Sequence, residues 1–153
     1  MQPLKDIHLI QLYQYWAGQV GTDGALPGRE VFDAANIGPA LLPWVVLHDV
    51  VEQPHGPYGR RYYYRLVGTE VVATFGFDPT GRYADEVGDT EMVRQVHAYM
   101  DEAVTTRRAH VSHTATMAPH KEYIRTERLI LPLGGPDGSV TKLIVVPLVV
   151  ARG

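Results

Sequence analysis

The sequence predicts an α+β domain: a five-stranded antiparallel sheet with helices packed on one face and an extra helix at the N-terminus. Two β-rich runs precede a helical middle section and three more follow it, with Gly- and Pro-rich turns between neighbouring runs. A length of 153 residues suits one domain with its own core. We expect residues 1–24 to form the N-terminal helix and its connection, and residues 25–153 to form the sheet domain.

The N-terminal helix is predicted over residues 4–17 because apolar residues recur there at helical spacing. These are Leu9, Leu12, Tyr13, Trp16 and Val20, while glutamines occupy the other positions. Gly18 and Gly21 are plausible stops, with Val20 just past the last turn. An apolar stripe of this kind must pack either on its own domain or on a second copy of the chain.

Five strands are predicted from β-branched and apolar runs. They span Trp44 to Val51, Arg61 to Val67, Ala109 to Met117, Tyr123 to Leu133 and Val140 to Val150. The first run is apolar almost throughout, as in a strand covered on both faces. Alternation in the second places Tyr62, Tyr64 and Leu66 on one face. We expect Pro147 to end the last strand or to introduce a bulge, because proline cannot donate to a sheet ladder.

The other predicted helices lie before the first strand and between the second and third. Asp33 begins a short helical segment that runs to about Leu42. Thr69 is a good N-cap for a short helix that Gly76 would end, and residues 78–81 match a type I turn.

A longer helix is predicted from about Asp89 to Arg107, and its position in the chain requires it to lie across one sheet face. Its stripe consists of Met92, Val96, Tyr99 and Ala103, widened by Val93, Met100 and Val104.

Two motifs in the centre of the chain resemble those of short single-domain bacterial PAS proteins (PAS family 5). They are YRLVGTE from Tyr64 to Glu70 and FGFDPTGR from Phe75 to Arg82. The segments from Leu41 to Trp44 and from Glu127 to Leu133 extend the resemblance, which covers roughly residues 7–150. It implies a PAS-like fold and a sensory module that binds a small molecule between sheet and helices, or that contacts another protein.

Composition excludes several classes of function. The chain has 14 basic and 17 acidic residues, a net charge of -3, and no basic stripe, so nucleic acid is not an expected partner. With no cysteine, disulfides, thiolate nucleophiles and cysteine-ligated metal sites are excluded, and a reducing cytoplasm fits. The apolar stretch from Leu143 to Ala151 is too short to span a membrane, and no signal-peptide core is present, so we expect a cytoplasmic protein.

No metal site is expected from the seven histidines. His110 and His113 are an odd number of residues apart on a strand and point to opposite faces, and His120 falls in a loop near Pro119. His97 lies beside the stripe of the long helix. Some haem-binding PAS domains ligate iron from the equivalent helix, which makes a haem sensor an alternative, although a solvated pair with Asp101 is favoured.

We do not expect an enzyme. The two serines, Ser112 and Ser139, lie in no nucleophile elbow, and no glycine loop is followed by the lysine and helix that bind phosphate. Asp85 and Glu86 fit a solvated surface. A small enzyme with a ketosteroid-isomerase-like cone is a second alternative, but no buried acid–base pair supports it.

The candidate ligand cavity is lined by Tyr64, Phe75, Val96, His97, Tyr99, Met100, Tyr123 and Arg128. For the aromatic residues, Tyr62 and Trp44 included, simple core packing is the favoured alternative. Arg65 and Arg128, which the PAS arrangement would place on neighbouring strands, could bind a carboxylate or phosphate, or pair with Glu127, Glu70 or solvent. Expected partners are a small molecule, a separate signalling protein and a second copy bound through the N-terminal helix; any cofactor is unknown.

Overall fold

The computed structural model of the protein describes residues 2–88, 90–117 and 122–153. Its five strands form one antiparallel sheet in the order β2-β1-β5-β4-β3. The strands are β1 Val46–Gln53, β2 Gly59–Val67, β3 His110–Met117, β4 Tyr123–Gly134 and β5 Val140–Arg152. The helices are α1 Ile7–Gln19, α2 Ala34–Ile37, α3 Thr69–Phe75 and α4 Glu91–Thr106, with 3-10 turns at Arg29–Val31, Leu42–Trp44 and Ala84–Glu86. The predicted fold class is confirmed.

The sheet is covered on both sides, and each side has its own hydrophobic cluster. On the α1 face, Leu9, Leu12 and Trp16 pack on odd-numbered residues of β4 such as Leu129 and Leu131. On the α4 face, the second cluster joins α3 and α4 to the opposite sides of the same strands; it includes Val71, Met100, Ala103, Val104, Ile130 and Val145. Each central strand is therefore buried on both faces, which explains its nearly continuous apolar sequence.

Helix α1 packs on its own sheet rather than leaving its apolar stripe free. The Asp6 carboxylate caps it by accepting hydrogen bonds from the N–H groups of His8 and Leu9. Trp16 is buried, and its indole N–H donates to the Pro132 carbonyl at 2.9 Å. Val20 lies just past the last helical residue, as expected.

Two expectations about the short helices are wrong. The segment after Asp33 ends at Ile37 rather than near Leu42, because Gly38 takes a left-handed φ of 85°. The N-cap of α3 is Gly68, and Thr69 is already helical. A Cβ at Gly68 would stand 2.2 Å from the Pro43 carbonyl oxygen, so this close approach of two backbone segments requires glycine.

A β-bulge corrects the predicted alternation in β2. His48 pairs with Tyr64 while the preceding Leu47 pairs with Leu66, which leaves Arg65 as an extra residue. Tyr62 and Tyr64 are buried on the α4 face, but the bulge turns Leu66 away from them, and this residue is 41% exposed. The prediction that all three share a face is therefore wrong for Leu66.

Strand β5 continues through Pro147, contrary to expectation. Pairing with β1 ends at Val145, so the missing N–H of Pro147 interrupts no ladder on that side. A bulge does occur three residues later, because Val149 pairs with Thr126 and Ala151 with Arg125, leaving Val150 extra and exposed.

The turn expected at residues 78–81 forms one residue later. The Arg82 N–H donates to the Pro79 carbonyl, and Gly81 has a φ of 87°. The Gly81 N–H instead donates to the Tyr64 carbonyl at 2.9 Å, and the Tyr64 N–H donates to the Arg82 carbonyl at 2.9 Å. The loop thus covers the free edge of β2.

Helix α4 lies over the sheet as predicted. Thr90 caps it, with its hydroxyl accepting from the Val93 N–H at 3.1 Å, and Met100, Ala103 and Val104 are buried. The expected start at Asp89, like Pro119 and His120, lies outside the described residues. No helix in the described part of the chain is long and apolar enough to cross a membrane.

Candidate functional site

A cavity lies between helices α3 and α4 and the α4 face of the sheet. It has an outer chamber of about 600 Å³ and an inner chamber of about 150 Å³. The two chambers share the lining residues Phe75, Val87, Met92, Val93, Arg128 and Pro147. The outer volume falls within the roughly 300–1,000 Å³ typical of small-molecule sites.

The walls of the outer chamber are mainly apolar. Residues that line only this chamber include Trp44, Val71, Phe77, Ile124 and Val149. Phe77, Glu91 and Met117 are exposed and form its rim. Among the described lining residues the one carboxylate of this chamber, on Glu91, lies 3.3 Å from the Arg94 guanidinium. The chamber therefore offers apolar contact to a molecule that enters from solvent.

His48 is a buried polar residue that lines the inner chamber. It projects from β1 with only 3% of the residue exposed, and its Nδ1 has no hydrogen-bond partner among the described residues. Burial lowers the pKa of His48 to about 3, so the ring is neutral under physiological conditions. An unsatisfied buried polar atom is costly, and such an atom beside a cavity is a natural contact for a bound molecule.

Tyr64 stands next to His48, and the centres of their rings are 4.5 Å apart. Burial raises the pKa of Tyr64 to about 12, an effect that the nearby Arg128 charge opposes. The tyrosine therefore keeps its proton and can donate a hydrogen bond into the inner chamber.

Arg128 projects from β4 into both chambers. Burial lowers its pKa to about 10. Among the described residues, its one hydrogen bond is a long one from Nη1 to the Thr114 hydroxyl at 3.5 Å. No described carboxylate lies within ion-pair distance of the guanidinium, so this positive charge has no counter-ion in the part of the chain that the structure describes.

Alternation along β4 explains how Arg128 reaches the cavity. Ile124, Thr126 and Arg128 line the outer chamber, whereas Glu127 and Leu129 face α1. The expectation that Arg128 might pair with its neighbour Glu127 is wrong, because the two side chains point to opposite faces.

The structure brings together five of the eight residues proposed as cavity lining. Tyr64, Phe75, Val96, Met100 and Arg128 all line one or both chambers. Trp44, from the wider aromatic set, also lines the outer chamber. The helix and strand periods were sufficient to direct these side chains towards the same interior.

The other three proposed lining residues, His97, Tyr99 and Tyr123, line neither chamber. The His97 ring packs between Tyr58 and Tyr62, with ring centres 5.5 and 5.0 Å away. Its Nε2 is 3.7 Å from Asp101, which accepts a hydrogen bond from the Tyr62 hydroxyl.

Tyr99 and Tyr123 are held away from the cavity by their positions in α4 and β4. Tyr99 stacks on His110, with ring centres 4.6 Å apart, on the side of α4 next to β3. Tyr123 begins β4 and is 42% exposed.

Arg65 and Arg128 do not lie on neighbouring strands, because β1 and β5 separate β2 from β4. Arg65, the bulge residue, instead forms an ion pair with Asp49. The two arginines therefore cannot form one anion site.

Sequence reasoning missed His48 as a cavity residue. The signal was present, because His48 interrupts an otherwise apolar strand, and a polar residue in a doubly covered strand needs an explanation. As for metals, no group of three or more potential ligands occurs among the described residues, and His110 and His113 point to opposite faces.

A family model described as PAS domain matches residues 4–146 of the chain. No curated protein sequence matches it significantly. Among solved structures, a Rhodobacter sphaeroides LOV protein aligns with a TM-score of 0.50 at 13% identity, covering 70% of this chain and 58% of that one.

Two other similar structures are a blue-light photoreceptor and a ligand–DNA complex. The Aureochrome1 LOV domain in its light state gives a TM-score of 0.51 at 12% identity, covering 73% of this chain and 84% of that chain. Vibrio cholera VqmA in a ligand–DNA complex gives a TM-score of 0.53 at 9% identity, covering 68% of this chain and 45% of that chain. At these identities the similarity concerns the fold alone.

Proposed function

The chain belongs to the PAS domain family, and on that basis we propose that it is a non-catalytic sensory or regulatory module that binds a small molecule between helix α4 and the sheet. The observation that carries the proposal is the cavity: a mainly apolar chamber of about 600 Å³ joined to a smaller one whose lining includes His48, Tyr64 and Arg128. An apolar cavity with a few convergent polar groups is the usual form of a ligand site.

The polar groups of the cavity suit binding rather than catalysis. A general acid or base works best when its pKa is near the working pH. The pKa of His48 is about 3 and that of Tyr64 about 12, so neither group exchanges a proton near neutrality. They can orient a ligand by hydrogen bonding.

Strand β4 provides a physical link between the cavity and the α1 face. Arg128 contacts the cavity, and its neighbour Leu129 packs in the cluster that contains α1. A ligand that shifts β4 would therefore alter the support of α1. We propose that a separate signalling protein in the bacterial cytoplasm detects this change.

We also propose that the protein forms a homodimer through the outward side of α1. The inward stripe is buried on the sheet, so an interface must use residues such as Ile7, which is 57% exposed. The measurement is light scattering coupled to size exclusion. Ile7→Glu should convert a dimer to a monomer, whereas a monomeric wild-type protein would refute this part of the proposal.

A haem sensor ligated by His97 receives no support from the geometry. His97 packs under Tyr58 and Tyr62 and lines neither chamber. A haem absorbance band in the purified protein that disappears in His97→Ala would reverse this conclusion.

The binding proposal is tested by obstructing the outer chamber. Val149 lines it, whereas the next residue, Val150, is exposed at the bulge, so Val149→Trp and Val150→Trp form a matched pair. A fluorine NMR screen of fluorinated small molecules should yield binders to the wild type and to Val150→Trp that no longer bind Val149→Trp. Binders that ignore Val149→Trp, or a screen without binders, would contradict the proposal.

A further inference from the structure

We propose that the ligand is an organic monocarboxylate, with its carboxylate on Arg128 and its apolar body in the outer chamber; this inference rests on the proposed binding function. Arg128 places a partly buried cation at the junction of the two chambers, and none of the described residues supplies an anion to neutralise it. Leaving a buried charge unpaired is among the costliest arrangements in a protein.

Other partly buried arginines in the described structure show what is missing at Arg128. Arg61 makes a two-point contact with Asp85, at 2.9 and 2.8 Å, and Arg60 contacts Glu52 at 2.9 Å. Arg128 is also partly buried, but among the described residues it bonds only the Thr114 hydroxyl, at 3.5 Å. The missing partner is a planar anion with two oxygens, the group that the guanidinium fork binds best.

Two described acids, one adjacent to Arg128 in sequence and one in the cavity lining, are engaged elsewhere. Glu127 faces α1 and accepts the backbone N–H groups of Lys5 and Asp6. Glu91 stands at the rim of the outer chamber, next to Arg94. None of the acids that the structure describes is paired with Arg128, which leaves this place for an anion of the ligand.

The surroundings of Arg128 favour a singly charged acid over a phosphate ester. One guanidinium neutralises one negative charge, and the chamber walls are mostly apolar, so a second charge would be buried without a partner. Tyr64 and His48 line the inner chamber, and their polar atoms are candidates to bond a further polar group of the ligand. An aliphatic or aromatic tail fits the walls formed by Val93, Phe75 and Val149.

The test is isothermal titration calorimetry with two matched sets of probes. Decanoate is compared with decanamide and decyl phosphate, and 2-naphthoate with 2-naphthamide, on the wild type, Arg128→Met and Arg125→Met. Arg125 is the control because it is exposed on the same strand. The carboxylates should bind the wild type and Arg125→Met more tightly than the amides by about tenfold to a hundredfold, and Arg128→Met should abolish the preference.

A second measurement separates a ligand anchor from a structural arginine. Without ligand, Arg128→Met should unfold at the same or a higher temperature, because it removes an unpaired buried charge. A marked drop in unfolding temperature together with unchanged carboxylate binding would overturn the inference.

The two proposals fail in different ways. If carboxylate and amide bind the wild type equally and Val149→Trp abolishes the binding of both, the preference for a carboxylate is refuted, but the proposal that the chamber binds a ligand is not. If no probe binds and the fluorine screen also finds nothing, both proposals fail.

Discussion

The Nε2 atom of His113 lies 2.6 Å from Oε2 of Glu127. The same carboxylate accepts the backbone N–H groups of Lys5 at 3.1 Å and Asp6 at 2.9 Å, and only 2% of the Glu127 side chain is exposed. This contact fastens the segment before α1 to β4, one residue from Arg128. The cavity strand and the N-terminal segment are thus joined through a charged group.

Replacing Glu127 should release the N-terminal segment. Glu127→Gln removes the negative charge that the N–H groups of Lys5 and Asp6 and the ring of His113 share. The free energy of unfolding, measured by urea denaturation, should fall by about 2 kcal/mol. The amides of Lys5 and Asp6 should also exchange hydrogen faster. Glu70→Gln, at an exposed acid on α3, is the control and should change stability by less than about 0.5 kcal/mol. Unchanged stability and exchange in Glu127→Gln would refute the role.

The contribution of Glu127 to the stability of the fold should disappear in acid. Burial alone would raise the pKa of Glu127, but the Asp6 and Lys5 N–H groups and His113 hold it below its ordinary value. Its stabilisation is therefore complete above the unfolded pKa of about 4.3 and is lost as the pH falls through the lower folded pKa. The stability gap between wild type and Glu127→Gln should narrow below about pH 4. A gap independent of pH would contradict this.

His48 should make the protein sensitive to mild acid. Its pKa is about 3 in the fold and 6.5 when unfolded, so the unfolded state binds more protons as the pH falls below 6.5. Stability should drop by up to about 1.4 kcal/mol per pH unit in the wild type, and this component should be absent from His48→Phe. NMR should show no titration of the His48 ring between about pH 8 and 5. A midpoint near the unfolded value would overturn the assignment.

Two glycines should respond to alanine in opposite directions. Gly68→Ala places a Cβ 2.2 Å from the Pro43 carbonyl oxygen and should destabilise the protein by about 1–3 kcal/mol. At Gly18, in α1, a Cβ would meet nothing within 4 Å, so Gly18→Ala should stabilise by about 0.5–1 kcal/mol. Urea unfolding measures both, and effects of the same sign would contradict the packing at Gly68.

The bulge at Arg65 predicts that Leu66 contributes little to the core. Leu66→Ala should cost less than about 1 kcal/mol, whereas Leu131→Ala, at a fully buried position, should cost about 2–5 kcal/mol. Regular alternation would have put Leu66 on the same buried face as Tyr64, and the stability losses of Leu66→Ala and Leu131→Ala would then be similar. Equal losses in thermal unfolding would argue for an unbulged strand.

The sequence predicts most of the fold because its periods are local and clear. Five strands and the long helix follow from runs of apolar residues, and alternation directs Tyr64 and Arg128 inward. Other features depend on contacts that no local pattern contains. Gly68 is fixed by the approach of Pro43, and Leu66 is displaced because β2 has one more residue than β1 in this part of the ladder.

At the candidate site, too, the sequence does not predict which side chains of the long helix reach the cavity. His97 and Val96 are neighbours in sequence, yet only Val96 lines the cavity, because the aromatic rings of Tyr58 and Tyr62 enclose His97. That enclosure depends on where the hairpin between β1 and β2 folds. Similarly, the separation of Arg65 from Arg128 follows from the sheet order, which pairs β5 with β1.

The most direct test of a ligand chamber under α4 is to locate a bound molecule. Intermolecular nuclear Overhauser effects should be recorded between decanoate and methyl-labelled protein. They should connect the decanoate chain to the methyl groups of Val93, Val149 and Met92, and the Arg128 side-chain N–H signals should shift on binding. Contacts confined to methyl groups on the α1 face, such as those of Leu129 and Leu131, would contradict the account.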